Sequence, residues 1–175
     1  MRIADLESGE ALPIDGASRG ELQCRGPWVA REYFDDPRSS ESFTDDGWLR
    51  TGDIATMDAN GYLRIVDRTK DLVKLGGEWI SSVELENELM AHPDVAAAAV
   101  VGVPDPKWQE RPLACVVPRE GARLEPEELR ALLQGHVPKW WLPDDVVFLD
   151  AIPLTATGKF SKKELRDRFA PEHDT

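Results

Sequence analysis

The chain has 175 residues, 41% hydrophobic and 31% charged, with a net charge of −12 at pH 7. That balance is an ordinary globular one. Its acidity argues against non-specific nucleic-acid binding, and no apolar run approaches the ~20 residues of a membrane-spanning helix. The only cysteines, Cys24 and Cys115, stand far apart, which excludes a disulfide framework or a zinc site and points to a reducing, cytoplasmic setting. No basic-then-apolar pattern of a secretion signal is visible near Met1.

The first third reads as strands and turns. Gly20 to Gly26 alternates like a strand bounded by glycines, and Pro27 to Asp46 is irregular and polar. Asp58-Ala59-Asn60-Gly61 lies between two apolar runs, and its Asn-Gly pair predicts a hairpin, because both residues tolerate positive φ. Tyr62 to Val66 is the return strand. From Asp71 the texture changes. Leu72–Leu75 and Trp79-Ile80 are short extended pieces about a Gly76-Gly77 turn, and Ser82 is placed to cap a helix with Val83, Leu85, Leu89 and Met90 inward. Val95–Val103, Leu113–Val117 and Val146–Leu149 read as strands, and Pro126–Gln134 and Ser161–Phe169 as helices. The implied fold is α+β: a small domain over residues 71–175, with helices packed on a mixed sheet. Before it comes a β-rich segment, residues 1–70, that lacks the apolar pattern of a complete domain.

Few residues here carry chemistry by themselves. Lys159 follows Gly158 on a loop rich in small hydroxyl residues, and such a lysine offers a mobile point charge to phosphate or carboxylate oxygens, although a lone Gly-Lys pair is usually just solvated. Between Gly158 and Phe169 five basic residues (Lys159, Lys162, Lys163, Arg166, Arg168) face two acidic ones, which suits a small anionic ligand. Asp53, between two strand-like stretches, could accept hydrogen bonds from the vicinal hydroxyls of a ribose or sit solvated on a turn. Arg68, in the mixed-charge run Asp67 to Asp71, suits either a linker or a hinge that also grips a sugar or phosphate. Trp140-Trp141 reads as a hydrophobic anchor. His92, His136 and His173 have no spaced partners, so no metal site is expected.

The combination is more specific than its parts. Gly47-Trp48-Leu49-Arg50-Thr51-Gly52-Asp53, Gly61 through Asp71, Lys74-Leu75-Gly76-Gly77-Glu78-Trp79-Ile80-Ser81-Ser82 and Pro153-Leu154-Thr155-Ala156-Thr157-Gly158-Lys159 together resemble the adenylate-forming enzymes: acyl-CoA synthetases, adenylation domains and luciferases. Gly76 to Ser82 and Pro106 to Leu113 look most like medium- and long-chain fatty-acyl-CoA ligases. The resemblance spans about Ile3 to Phe169. It implies a two-step reaction in which a carboxylate attacks the α-phosphate of ATP, accompanied by Mg2+, and the thiol of coenzyme A then displaces AMP. It further implies that Asp53 and Arg68 bind the nucleotide, that Lys159 stabilises charge during adenylation, and that Lys70 is the hinge. In the same scheme Lys74, Gly76, Gly77 and Glu78 line the pantetheine tunnel once the small lid domain has turned.

The chain departs from that family in lacking a Ser/Thr/Gly-rich phosphate loop and the segments of an acyl pocket. The expectation is therefore the end of a large N-terminal domain plus a C-terminal lid, inactive alone, whose partners are ATP, a fatty acid, coenzyme A and an N-terminal body. Self-association through open strand edges is a further expectation. Two alternatives stay open: an adenylation domain that loads a carrier protein, and a non-catalytic binding module with the lid fold. The ending Glu172-His173-Asp174-Thr175, with no carrier domain after it, favours free coenzyme A.

Overall fold

The fold is that of a computed structural model, which describes residues 1–169; residues 170–175, and with them His173 and the Glu172–Thr175 ending, lie outside the described residues. The chain divides into two units, Met1–Lys70 and Asp71 onward.

Four antiparallel strands form the first unit: β1 (Arg2–Ala4), β2 (Gly20–Cys24), β3 (Leu49–Met57) and β4 (Leu63–Arg68), in that spatial order. Its apolar cluster is small, built on Ile3, Leu22, Ala55 and Met57. β1 can approach β2 because Gly20 has no side chain; a Cβ there would lie 2.3 Å from the Ala4 carbonyl oxygen. The segment expected to be irregular contains a short 3-10 helix, Pro37–Ser42.

The predicted hairpin between β3 and β4 forms. Among the two central residues only Gly61 is left-handed, at φ +83°. The Asp58 carboxylate accepts from the N–H groups of Asn60 (2.9 Å) and Tyr62 (3.0 Å), and the Asp58 carbonyl accepts from Gly61 N–H at 2.9 Å. This Asx-type capping supplies the reversal and leaves Asn60 in an ordinary conformation.

The second unit is a mixed sheet between helices. Its strands are β5 (Val73–Leu75), β6 (Glu78–Ile80), β7 (Val95–Asp105), β8 (Gln109–Pro118) and β9 (Asp145–Phe148); β9 runs parallel to β8 and the other pairs are antiparallel. Side chains of β7 and β8 alternate between two cores, as the period of two in a strand requires. Ala98, Val100, Ala114 and Val116 meet α1 (Ser82–Met90) and α2 (Pro126–Leu133) through Leu85, Leu89, Leu129 and Leu133. Ala99, Val101, Leu113 and Cys115 meet Leu165 of α3 (Lys162–Phe169). Both faces being covered explains why Val95–Val103 reads as a continuous apolar run.

Three local expectations need correction. The α1 cap is Ser81, whose hydroxyl accepts from Glu84 N–H; Ser82 is the first helical residue and is fully buried. The inward face holds Glu86 with Leu85 and Leu89, while Met90 points outward. Of the two adjacent tryptophans only Trp141 is an anchor, since Trp140 is exposed.

Candidate active-site surfaces

Asp53 stands where β3 is irregular. Residues Glu21↔Ile54 and Gln23↔Arg50 pair on β2 and β3, so Thr51, Gly52 and Asp53 are squeezed into a bulge. Gly52 takes φ +71°, which a side chain would resist, and Thr51 ties the bulge to β2 through its hydroxyl and Leu22 O (2.8 Å). The bulge re-aims the Asp53 carboxylate, and its Oδ1 meets Arg68 Nε at 2.8 Å. Asp53 and Arg68 are register partners across β3 and β4, so the sheet itself brings these two site candidates together. An open cleft of about 890 Å³ adjoins them, lined by Tyr33, Thr51, Gly52, Arg68, Thr69 and Lys70 among others. Asp53 lies beside this cleft rather than among its lining residues. Glu21, buried at one side, accepts from Arg50 (3.2 Å) and Gln23 (3.0 Å), so its charge is paired.

Lys159 closes a small tight turn. Thr155 N–H donates to Lys159 O (2.7 Å), Gly158 N–H to Thr155 O (2.9 Å), and Lys159 N–H to the Thr155 hydroxyl (3.2 Å). Gly158 takes φ +78°, and Leu154 and Phe160 bridge at the base. The loop backbone is therefore fixed while the Lys159 side chain is exposed. Its ammonium makes no ion pair among the described residues; the neighbouring Lys162, by contrast, is committed to Glu86 (2.7 Å).

The Gly76-Gly77 turn lies elsewhere on the second unit. Both glycines are left-handed, φ +54° and +100°, the pairing that a two-residue hairpin between β5 and β6 demands. Gly76 N–H donates to Trp108 O at 3.0 Å, holding the turn against the β7–β8 loop. Lys74 packs over the Trp79 ring, and its N–H donates to the Glu110 carboxylate (2.8 Å). A pocket of about 460 Å³ opens here, lined by Gly76, Glu78, Trp108, Arg111, Trp140 and Asp144 with Leu75. Of the residues expected to form one surface, Gly76 and Glu78 line this pocket; Lys74 instead supports it from the adjacent strand.

Sequence reasoning missed Arg111, which builds one wall. Its guanidinium is bidentate on Asp144 (2.6 and 2.7 Å) and also donates to Trp140 O and Leu142 O (both 3.1 Å), so it fixes the loop that carries Trp140. The Arg111 hydrogen bonds hold the Asp144 carboxyl below the usual carboxylate range. A depressed folded-state pKa contributes stability present above the ordinary value, 3.8, and lost as pH falls through the lower folded value. Asp144 is 58% exposed, so screening limits this to about 1 kcal/mol at most. Acid titration followed by the Trp140 indole resonance should show the loop loosening below the usual Asp range, and Asp144→Asn should abolish that step.

Cys115 is no nucleophile, because burial pushes its thiol up to about 11. Among the described residues no group of three or more His, Cys, Asp or Glu side chains is placed to hold a metal ion. No helix among them is long and apolar enough to cross a membrane.

The chain is 52% identical over 169 residues to a 3-methylmercaptopropionyl-CoA ligase of Ruegeria lacuscaerulensis, covering 97% of this chain and 31% of that protein. It is 54% identical over 171 residues to a long-chain-fatty-acid–CoA ligase of Thermus thermophilus, with the same shares. The chain thus spans about a third of the length of the curated relatives it matches. Among solved structures, ATP-bound MatB from Rhodopseudomonas palustris superposes with a TM-score of 0.88 at 34% identity, over 97% of this chain and 34% of that one. The amide bond synthetase McbA from Marinactinospora thermotolerans gives 0.85 at 40% identity, with the same coverage. Residues 84–159, most of the second unit, match the AMP-binding enzyme C-terminal domain. Over that domain and most of its remaining length, the chain is similar to acyl-CoA ligases and other adenylate-forming enzymes.

Proposed function

We propose that this chain is the hinge-and-lid portion of an AMP-forming acid–CoA ligase acting on fatty acids, with ATP and coenzyme A as co-substrates. The observation that carries the reading is Lys159, a cation unpaired among the described residues and held on a rigid turn at the surface. In adenylation a carboxylate oxygen bonds to the α-phosphorus of ATP and pyrophosphate leaves; a fixed ammonium beside those oxygens stabilises the charge that builds up. Asp53, with one carboxylate oxygen held by Arg68, has its other oxygen without a partner among the described residues and would accept from the ribose hydroxyls. Mg2+ enters only as the companion of the ATP phosphates.

In the second step the coenzyme A thiol attacks the acyl carbon and AMP leaves. The pocket beside Gly76, with Trp108 and Trp140 as aromatic walls, supports a docking surface for the cofactor on the lid. Lys159 and this pocket are separate features of one unit, so a turn of that unit about Lys70 would exchange one for the other at a common reaction centre. Trp28 and Phe34 in the first unit are 97% and 98% exposed, which supports reading residues 1–70 as the edge of a larger body that covers them. Until such a body covers these surfaces, self-association of the chain is an expected side reaction.

The test is a chimera in which this chain replaces the matching third of the Thermus ligase. It should restore ATP–pyrophosphate exchange with a fatty acid and acyl transfer to free coenzyme A, whereas the 175-residue chain alone should give neither. Exchange by the isolated chain, or a chimera that acylates only a carrier protein, would contradict the proposal.

A further inference from the structure

We infer that two ion pairs bracket the hinge, so that the swivel is confined to Thr69 and Lys70, and that Arg166 is a positioning residue for Lys159. The inference rests on the hinge reading above and concerns which bonds carry the motion.

Arg68 is anchored to the first unit by one ion pair across the sheet and makes a local bond to its buried neighbour. Its guanidinium holds Asp53 at 2.8 Å, and its N–H donates at 2.7 Å to the carboxylate of Asp67, a buried residue. Asp71 is anchored to the second unit. Its Oδ1 meets Arg166 Nη1 at 3.2 Å, with the Asp71 side chain only 14% exposed. Arg166 stands on α3 next to Leu165, which is fully buried against β7 and β8, and α3 is fixed again where Lys162 donates to Glu86 and Ser82 (both 2.7 Å).

Between these anchors the pattern is reversed. Thr69 Oγ1 is buried with no hydrogen-bond partner, and Lys70 is exposed with no ion pair among the described residues. A buried hydroxyl without a partner gains nothing from its present torsions, so rotation about Thr69 and Lys70 breaks no side-chain bond of theirs. Rotation at Arg68 or Asp71 would break an ion pair. The chain therefore turns at two residues whose side chains are unbonded among the described residues, and the motion has only the single 3-10 turn Thr69–Asp71 to open.

The same clamp fixes where Lys159 goes. α3 follows the Lys159 turn through Ser161, whose N–H is bonded to Pro153 O (2.8 Å). Asp71 is thus joined through Arg166 and α3 to the base of that turn, and a hinge rotation reaches Lys159 without being absorbed on the way. Without Arg166, the segment after Lys70 would flex independently of α3, and the arc swept by Lys159 would be less defined.

The experiment is 15N relaxation on the 175-residue chain, comparing the native protein with Arg166→Gln, Arg166→Lys and the charge-swapped pair Asp71→Arg/Arg166→Asp. In the native chain Arg68 and Asp71 should show order parameters near the rigid value of about 0.85, with reduced order or microsecond–millisecond exchange only at Thr69 and Lys70. Arg166→Gln should extend the mobile segment to Asp71 and Leu72, with order below about 0.6. Arg166→Lys and the swapped pair should restore it, which a loss of general packing would not allow. If Arg166→Gln does not fold, Asp71→Asn opens the same pair from the other side. Unchanged order at Asp71 and Leu72 on opening the pair, or failure of both restoring variants, overturns the inference. The readout needs no catalysis, so a silent chimera with this relaxation profile would sink the ligase reading and leave the bracketed hinge standing.

Discussion

In the chimera with the Thermus body, Lys159→Ala should slow ATP–pyrophosphate exchange roughly 100- to 1000-fold, the usual cost of removing one fixed charge-stabilising donor. Thioester formation from pre-formed acyl-adenylate should stay within about twofold of the unsubstituted chimera, because the Gly76 pocket is a separate surface of the same unit. The expectation follows from rigidity as much as from charge. Four hydrogen bonds, three within the turn and one at its base, fix the Lys159 backbone, so little reorganisation is needed when the ammonium is used. Lys159→Arg should recover little, since a planar fork does not replace a compact point charge at the same position. Stability should hardly change, as the side chain is exposed and unpaired among the described residues.

A larger effect on folding is expected one helix turn further on. Lys162→Met should destabilise the second unit by about 3–5 kcal/mol, because it leaves the Glu86 carboxylate buried without its cation. Glu86 also accepts the Val100 N–H at 2.7 Å, on the side of β7 away from β8. It therefore satisfies a backbone donor on an edge strand as well as a charge. The double variant Lys162→Met/Glu86→Gln keeps an acceptor for Val100 while removing both charges, and should regain most of the loss. Urea denaturation of the three proteins measures this; equal destabilisation of single and double variants would show that the pair itself, rather than the abandoned charge, supplies the energy.

Those same residues show where sequence reading reaches its limit. Val95–Val103 is legible because burial on both faces leaves an unbroken apolar run, and Gly76-Gly77 because a two-residue hairpin needs positive φ twice. Asp53 and Lys159 are singled out only by motif order, and the first pairs with Arg68 simply because β3 and β4 are hairpin neighbours. Glu86 left a weaker trace: it shares the inward stripe of α1 with Leu85 and Leu89, a position where a carboxylate implies a partner. Nothing local identifies that partner, since Lys162 donates to α1 across 80 residues of chain and Arg166 reaches Asp71 across 95. The Arg111 fork and the parallel pairing of β9 with β8 are hidden for the same reason, being set by tertiary packing rather than by any periodicity. The Asp58 hairpin is legible from its Asn-Gly pair, whereas the side-chain acceptor that makes the reversal is not.

One measurement tests most directly the claim that a single unit presents two surfaces in turn: the rates of both half-reactions in the chimera, side by side for Lys159→Ala and Gly77→Ala. Alanine at φ +100° distorts the turn beside the Trp108 pocket and leaves the Lys159 loop untouched. Crossed losses are predicted, adenylation falling in the first variant and thioester formation in the second. Parallel losses in both half-reactions would contradict the account.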